Sequence, residues 1–275
     1  MNVAIIGLGL MGGSLALSLK KLDFIDEIVG HDHNKKHQKD ALSLKLVEKI
    51  VSFEEVKRYD VIFLAIPVNG VIAALQDLKD VQKDATIIDL GSTKAKIVAA
   101  VPHEIRKNFV AAHPMTGTEN FGPHAALEGL YEDKVVVLCD LEESGEHQRA
   151  VARKIFKALK MKKYFMKSNE HDRHAAFISH MPHAVSYSIA NTVMKQEKRD
   201  NILALAAGGF RSMSRLAKSS PNMWEDIFRQ NKENLLEAIE LFQKELNTMK
   251  KNIQNDEWEK VHKEMADANK LHDIF

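Results

Sequence analysis

The sequence predicts an α/β protein: a doubly wound parallel sheet over residues 1–167, followed by an all-α domain over residues 168–275. Three observations carry this. Short, continuous apolar runs recur through the first part and alternate with stretches of helical period, the pattern of strands buried on both faces. Runs of that kind stop near residue 168. The first run ends in a glycine-rich turn that opens a helix. A length of 275 residues suits one large or two medium domains.

The elements follow in order. Val3–Ile6 is the first strand, and a helix is expected from about Gly12 to Lys21. EIVGHD (27–32), VIFLAIP (61–67), TIIDLGS (86–92), FVAAHP (109–114) and KVVVLCD (134–140) supply the next strands, and KKYFMK (162–167) a last edge strand. Ser168 is placed to cap a long helix through HDRHAAFISHMPHAVSYSIANTV, with a kink at Pro182. Gly208-Gly209 should break the helical pattern. Ser220-Pro221 reads as a helix start, with Ser at N-cap and Pro at N1. Beyond it, Leu235, Ile239, Phe242, Leu246, Met249 and Ile253 form a heptad-like stripe. A last helix is expected from near Asn255, carrying Trp258, Val261, Met265, Ala268 and Leu271.

Composition excludes several classes. A net charge of +1 gives no electrostatic case for nucleic acid or an anionic membrane as partner. The single cysteine, Cys139, excludes an intramolecular disulfide and fits a reducing compartment, hence a cytoplasmic protein. The N-terminus lacks a basic region and carries turn glycines in its apolar run, so it reads as a strand and not as a signal peptide. No run reaches the ~18 apolar residues of a membrane span.

Gly7-Leu8-Gly9-Leu10-Met11-Gly12 fits G-x-G-x-x-G, between a strand and a helix as its mechanism requires. The first glycine makes the tight turn. The second lets a pyrophosphate approach the backbone, and the third lets helix and strand pack closely. The N–H groups of the helix start then face the phosphates. Asp32 ends the second strand, where a carboxylate accepts from both ribose hydroxyls and repels a 2′-phosphate. The expected fold is therefore Rossmann-type and the expected cofactor NAD, a preference that Lys35 and Lys36 weaken. A glycine-rich turn in another doubly wound fold is the bland alternative.

Open parallel sheets bind ligands at the carboxyl ends of their strands. Three segments end there: AIPV (65–68), DLGSTKAK (89–96) and AAHPMTGTENFG (111–122). The first brings Ala65 and Pro67 to the cofactor; the others supply Ser92, Lys94, His113 and Thr118. His113 follows the fifth expected strand, and Pro114 restricts the backbone beside it. A neutral imidazole there can accept the hydroxyl proton that must leave when hydride leaves a carbinol carbon. A histidine bonded to a nearby carbonyl is the default for any lone histidine.

G-L-G-L-M-G-G-S at the start, D-x-G-S-x-K at 89–94, H-P-M-x-G-T-E at 113–119, S-H-M-P-H at 179–183 and G-F-R-x-x-x-R-L-A-x-S-x-P-x-M-W at 209–224 together resemble the prephenate dehydrogenases of tyrosine biosynthesis. Arogenate dehydrogenases share the pattern. The resemblance implies NAD-dependent oxidative decarboxylation of prephenate, with His113 as proton acceptor and Ser92 hydrogen-bonding beside it. It implies Arg215 for the side-chain carboxylate, Arg211 as second choice, and His183 and Thr118 as further substrate contacts. His180 is expected to pack or support. Homodimers through the helical domain are implied too, with neither a fused chorismate mutase nor a C-terminal regulatory domain. Another hydroxyacid dehydrogenase, or a silent NAD-binding sensor, stays open. His31, His33 and His37, or His171, His174, His180 and His183, could suggest a metal. No cysteine or carboxylate pattern completes such a site, and His180 lies opposite His171 on an ideal helix of about 100° per residue, so none is expected.

Overall fold

The computed structural model describes residues 1–274; Phe275, the last residue of the expected helical domain, lies outside them. One sheet of eight strands organises the first part: β1 (Asn2–Ile6), β2 (Glu27–His31), β3 (Lys49–Ile50), β4 (Val61–Leu64), β5 (Thr86–Asp89), β6 (Phe109–Pro114), β7 (Val135–Cys139) and β8 (Lys162–Met166). Their order is β3-β2-β1-β4-β5-β6-β7-β8. The chain winds outward from β1 to one side, then returns to lay β4 on its other side. That reversal opens a crevice between the carboxyl ends of β1 and β4, where such sheets take ligands.

Successive residues of each strand serve opposite faces. Val3, Ile5, Phe63, Ile88 and Val110 join one apolar cluster, while Ala4, Ile6, Ile62, Leu64, Ile87 and Ala111 join the other. Helices α1 (Leu10–Leu19), α2 (Lys35–Ser43), α3 (Phe53–Val56), α4 (Val68–Asp77), α5 (Ala95–Ala99) and α6 (Glu146–Ala158) connect the strands. Leu15 and Leu19 of α1 and Ile155 and Phe156 of α6 fill the first cluster; Val71 and Leu75 of α4 fill the second.

Two features of the sheet depart from the sequence reading. Strand β3 was not expected: it has two residues, paired with Val29 and Gly30, too few to leave a period. The pairing of β6 with β7 is antiparallel, Ala112 opposite Leu138 and His113 opposite Val137. The intervening segment holds no α-helix, and an antiparallel neighbour needs no crossover helix. The segment therefore stays at the carboxyl end of β6. His113 lies inside β6, whose bounds are those of the expected strand FVAAHP (109–114).

Seven helices follow: α7 (Ser168–Ala175), α8 (Met181–Gln196), α9 (Arg199–Leu205), α10 (Gly208–Ser214), α11 (Pro221–Gln230), α12 (Lys232–Gln254) and α13 (Trp258–Asn269). Ser168 is the first residue of α7 and not its cap; Lys167 takes that place, and the Ser168 N–H donates to Asp140 Oδ2 at 3.1 Å. Gly208-Gly209 starts α10 where a break was expected, the break falling at Ala206-Ala207. Ser220 precedes α11 as foreseen, with Pro221 in its first turn.

The chain packs as two compact units, Met1–Asn231 and the part from Lys232 onward. The first holds the sheet and α7 to α11. In the second, α12 and α13 pack on each other through a turn in which Asp256 takes a left-handed backbone (φ 54°), and Asn252 Nδ2 donates to Glu264 Oε1 at 2.6 Å. The last helix starts at Trp258, later than expected. Leu246 and Ile253 of the stripe remain 55% and 46% exposed in this chain. Among the described residues, no helix is long and apolar enough to cross a membrane.

Candidate active site

The turn between β1 and α1 is built as the glycine spacing requires. Gly7 has φ +94°, and a Cβ on it would lie 2.4 Å from the Ala65 carbonyl oxygen at the end of β4. A Cβ on Gly12 would lie 1.9 Å from the Gly7 carbonyl oxygen, so only glycine lets the helix close on the turn. In front of Gly9 the space is open: a Cβ there meets nothing nearer than the Gly122 nitrogen at 4.0 Å. Gly9 caps α1 without a side-chain bond, and the first-turn N–H groups of Leu10, Met11 and Gly12 have no intrahelical acceptor. Asp32 is buried at the end of β2, accepting from the Leu8 and Asn34 N–H groups at 2.9 and 2.8 Å. His37 lies 3.5 Å from its Oδ2, while Lys35 and Lys36 are exposed. Ala65 and Pro67 line the β4–α4 connection, with Pro67 capping α4. These residues fit a dinucleotide: an open backbone, a helix start and an acid at the neighbouring strand end.

A buried polar cluster lies beside it on the α5 and α7 side of the sheet. Along β6, the period of two sends Phe109, Ala111 and His113 to one face, the first two inside the core cluster there. His113 Nδ1 meets His171 Nε2 at 2.8 Å, and His171 Nδ1 meets Asp172 Oδ1 at 2.8 Å. Asp172 also accepts the Lys94 N–H at 2.7 Å and the Ala95 N–H at 2.9 Å, at the start of α5. Lys94 is fully buried. Its ammonium pairs with Asp89, at the end of β5, and donates to the Ala112 carbonyl at 2.8 Å. Burial holds His113 well below the ordinary imidazole pKa, and His171, the Lys94 charge and His180 push the same way. His113 is therefore neutral and able to accept a proton.

The third part lies on α8, α10 and the segment after it. His183 stacks on Trp224 with ring centroids 3.5 Å apart, and its Nδ1 donates to the Ser179 carbonyl at 2.9 Å. Burial lowers its pKa, and the Arg215 charge adds to that. Arg215 is 58% exposed and lies 3.8 Å from Glu119. Glu119 belongs to the segment after β6, whose Thr118 Oγ1 accepts the Asn120 N–H at 3.2 Å and whose Gly122 faces Gly9. One loop thus reaches from the dinucleotide turn to the arginine. Ser92 is half-buried in the β5–α5 turn, two residues before Lys94.

His180 corrects the helical-wheel expectation. A π-turn over Ala176–His180 joins α7 to α8, where a kink at Pro182 was expected. The wider turn accommodates a proline that lacks an N–H and would crowd the preceding carbonyl. It also brings His180 round to the buried side that holds His171: they are 1% and 3% exposed. Asn231 ties His180 to Asp172, its Nδ2 reaching His180 Nδ1 at 3.1 Å and the Asp172 carbonyl at 2.6 Å. Burial lowers the His180 pKa to about 4. The sequence reading gave no role to Asp172, Trp224 or Asn231. The His171-Asp172 dipeptide was the available signal, upstream of S-H-M-P-H on the same expected helix.

Known proteins resemble this chain along its length. The family model described as "Prephenate dehydrogenase, nucleotide-binding domain" matches residues 15–165, and "Prephenate dehydrogenase, dimerization domain" matches residues 167–267. The chain belongs to the prephenate dehydrogenase family. A prephenate dehydrogenase of Bacillus subtilis is 30% identical over 279 residues, covering 99% of this chain and 75% of its own. The crystal structure of prephenate dehydrogenase from Aquifex aeolicus in complex with hydroxyphenyl propionate and NAD+ matches with a TM-score of 0.93 and 32% identity, covering 100% of this chain and 98% of that one. An arogenate dehydrogenase of Synechocystis matches with a TM-score of 0.80 and 26% identity, covering 99% of both chains. The glycine turn, residues 7–12, precedes the first match, His113 falls inside it, and His171, His183 and Arg215 fall in the second.

Proposed function

We propose that this chain catalyses the NAD-dependent oxidative decarboxylation of prephenate to 4-hydroxyphenylpyruvate and CO2, with His113 as proton acceptor. The observation that carries the reading is a neutral His113 at the ligand end of the sheet, backed through Nδ1 by His171. Gly7, Gly9, Leu10, Met11, Gly12, Asp32, Ala65 and Pro67 hold NAD, which supplies the hydride acceptor when bound. His113 takes the proton of the ring hydroxyl through Nε2, and Ser92 orients that hydroxyl. Arg215 exchanges its long contact with Glu119 for the substrate's side-chain carboxylate, a planar fork meeting two oxygens. His183, fixed by Trp224, and Thr118 complete the pocket. Loss of CO2 makes the ring aromatic, so the protein's part is orientation and proton acceptance.

In this reading residues 1–167 hold the coenzyme, and residues 168–275 shape the substrate side and pair two copies, a division that the family-model matches over 15–165 and 167–267 support. The exposed stripe of α12 supports the pairing. The single cysteine and the balanced charge support a cytoplasmic enzyme without nucleic-acid or membrane partners. The likeness to an arogenate dehydrogenase supports a second reading, in which the side chain bears an amine in place of the keto group. NADH formation measured in parallel with prephenate and arogenate decides between them. His113→Asn should lower kcat by about 10²–10⁴-fold, the usual worth of a general base. Turnover of neither substrate by the unmodified enzyme would end the assignment.

A further inference from the structure

We infer that His171 and Asp172 are positioning residues that fix the tautomer of His113 and receive the charge it acquires, a role that rests on the proposed dehydrogenase reading. A neutral imidazole carries one proton and offers one lone pair, so hydrogen bonding at one nitrogen dictates the state of the other. The assignment starts at Asp172. Its carboxylate faces three donors: the Lys94 and Ala95 N–H groups and His171 Nδ1. Both backbone groups can only donate, so Asp172 must accept throughout, and the His171 Nδ1 facing it carries the proton. His171 Nε2 is then a lone pair. At 2.8 Å it requires a proton on His113 Nδ1. His113 Nε2 is left bare, which is the state a proton acceptor needs.

The same chain disposes of the proton. As hydride and its electron pair leave the ring carbon for the coenzyme, the hydroxyl O–H bond breaks and an N–H bond forms at His113 Nε2. The Nδ1 proton of His113 passes to His171 Nε2. The positive charge then rests on His171, beside the Asp172 carboxylate. The anchor is rigid: Asp172 is 2% exposed, bound to the start of α5, and its own carbonyl accepts from Asn231 at 2.6 Å. Protonation of His113 is thereby matched to a buried carboxylate that never touches substrate, the logic of a hydrolase triad with a second imidazole inserted.

The test reads tautomers directly. Nitrogen NMR on histidine-labelled, coenzyme-free protein at neutral pH, with His113 assigned by its loss in His113→Asn, should show His113 protonated at Nδ1 and bare at Nε2. Asp172→Ala removes the oxygen facing His171 Nδ1 and should leave His113 a mixture of tautomers, with kcat lowered by about 10²–10⁴-fold and KM changed less than about threefold. His171→Gln, whose amide can donate or accept, should leave a mixture and lower kcat about tenfold or more. An Nε2-protonated His113 in the unmodified protein overturns the inference even if neither variant folds. So does Asp172→Ala with an unchanged tautomer and kcat. Failure of the unmodified enzyme to turn over prephenate would instead remove the substrate reading and leave the tautomer assignment standing.

Discussion

Replacing Lys94 by methionine should be among the most damaging single changes away from the reacting atoms. Lys94 and Asp89 have no solvent exposure, and the ammonium holds both the Asp89 carboxylate and the Ala112 carbonyl next to His113. Methionine keeps most of the volume but leaves a buried carboxylate that still accepts from the Gly91 N–H at 2.7 Å and has lost its cation. Removing one partner of a buried pair costs about 3–5 kcal/mol. At about 2–4 °C per kcal/mol for a chain of this size, Tm should fall by about 10 °C or somewhat more at pH 7. The pH dependence has a definite sign. Burial raises the Asp89 carboxyl above its ordinary value, against the pull of Lys94 and Gly91. A carboxyl raised in the folded state favours folding while protonated, and that contribution is lost as pH rises through its folded value. Without Lys94 the carboxyl rises further, so the deficit should be smallest in acid and grow toward pH 7. Melting curves of the wild type, Lys94→Met, Asp89→Asn and the double variant form a cycle. A loss under about 1 kcal/mol at pH 7, or a double variant no more stable than Lys94→Met, would refute the reasoning.

Three further outcomes are expected. Because burial and its neighbours hold His113 well below the usual histidine range, kcat/KM should persist well below pH 6.5 and be lost only as pH falls through the lowered value; a midpoint near ~6.5 would contradict this. Gly12→Ala, with its Cβ 1.9 Å from the Gly7 carbonyl oxygen, should weaken NADH binding in a fluorescence titration by tenfold or more and lower Tm. Arg215→Ala should raise KM for prephenate by roughly tenfold to a hundredfold, the worth of a charge-assisted bond, with a smaller effect on kcat.

Local rules made much of the fold legible. The apolar runs located seven of the eight strands, and the glycine spacing located the turn that a dinucleotide needs. What stayed hidden was set by distant partners. The direction of β7 depended on a segment that never forms a crossover helix, and β3 is only a pair of residues laid against β2. The phase of His180 depended on a π-turn ahead of Pro182, which an ideal wheel cannot express. In the site, His113, Ser92 and Arg215 stood out through their neighbours in sequence. Asp172 did not, because its meaning comes from the start of α5, 78 residues earlier in the chain. Trp224 was quoted within a motif, yet only the folded chain lays it flat on His183.

The hydrogen bond between His113 and His171 has a consequence for dissecting or recombining enzymes of this kind. A fragment ending before α7 would keep the glycine turn and the whole sheet, and with them a claim on the coenzyme. It would also lose the imidazole and carboxylate that arm the base. A hybrid joining the sheet of this chain to the helices of a relative inherits the same dependence, since its reactivity hangs on one contact of 2.8 Å. The gap between the two family-model matches therefore separates hydrogen-bonded residues that lie inside one compact unit, Met1–Asn231, and the parts can be exchanged only as well as that single contact is reproduced.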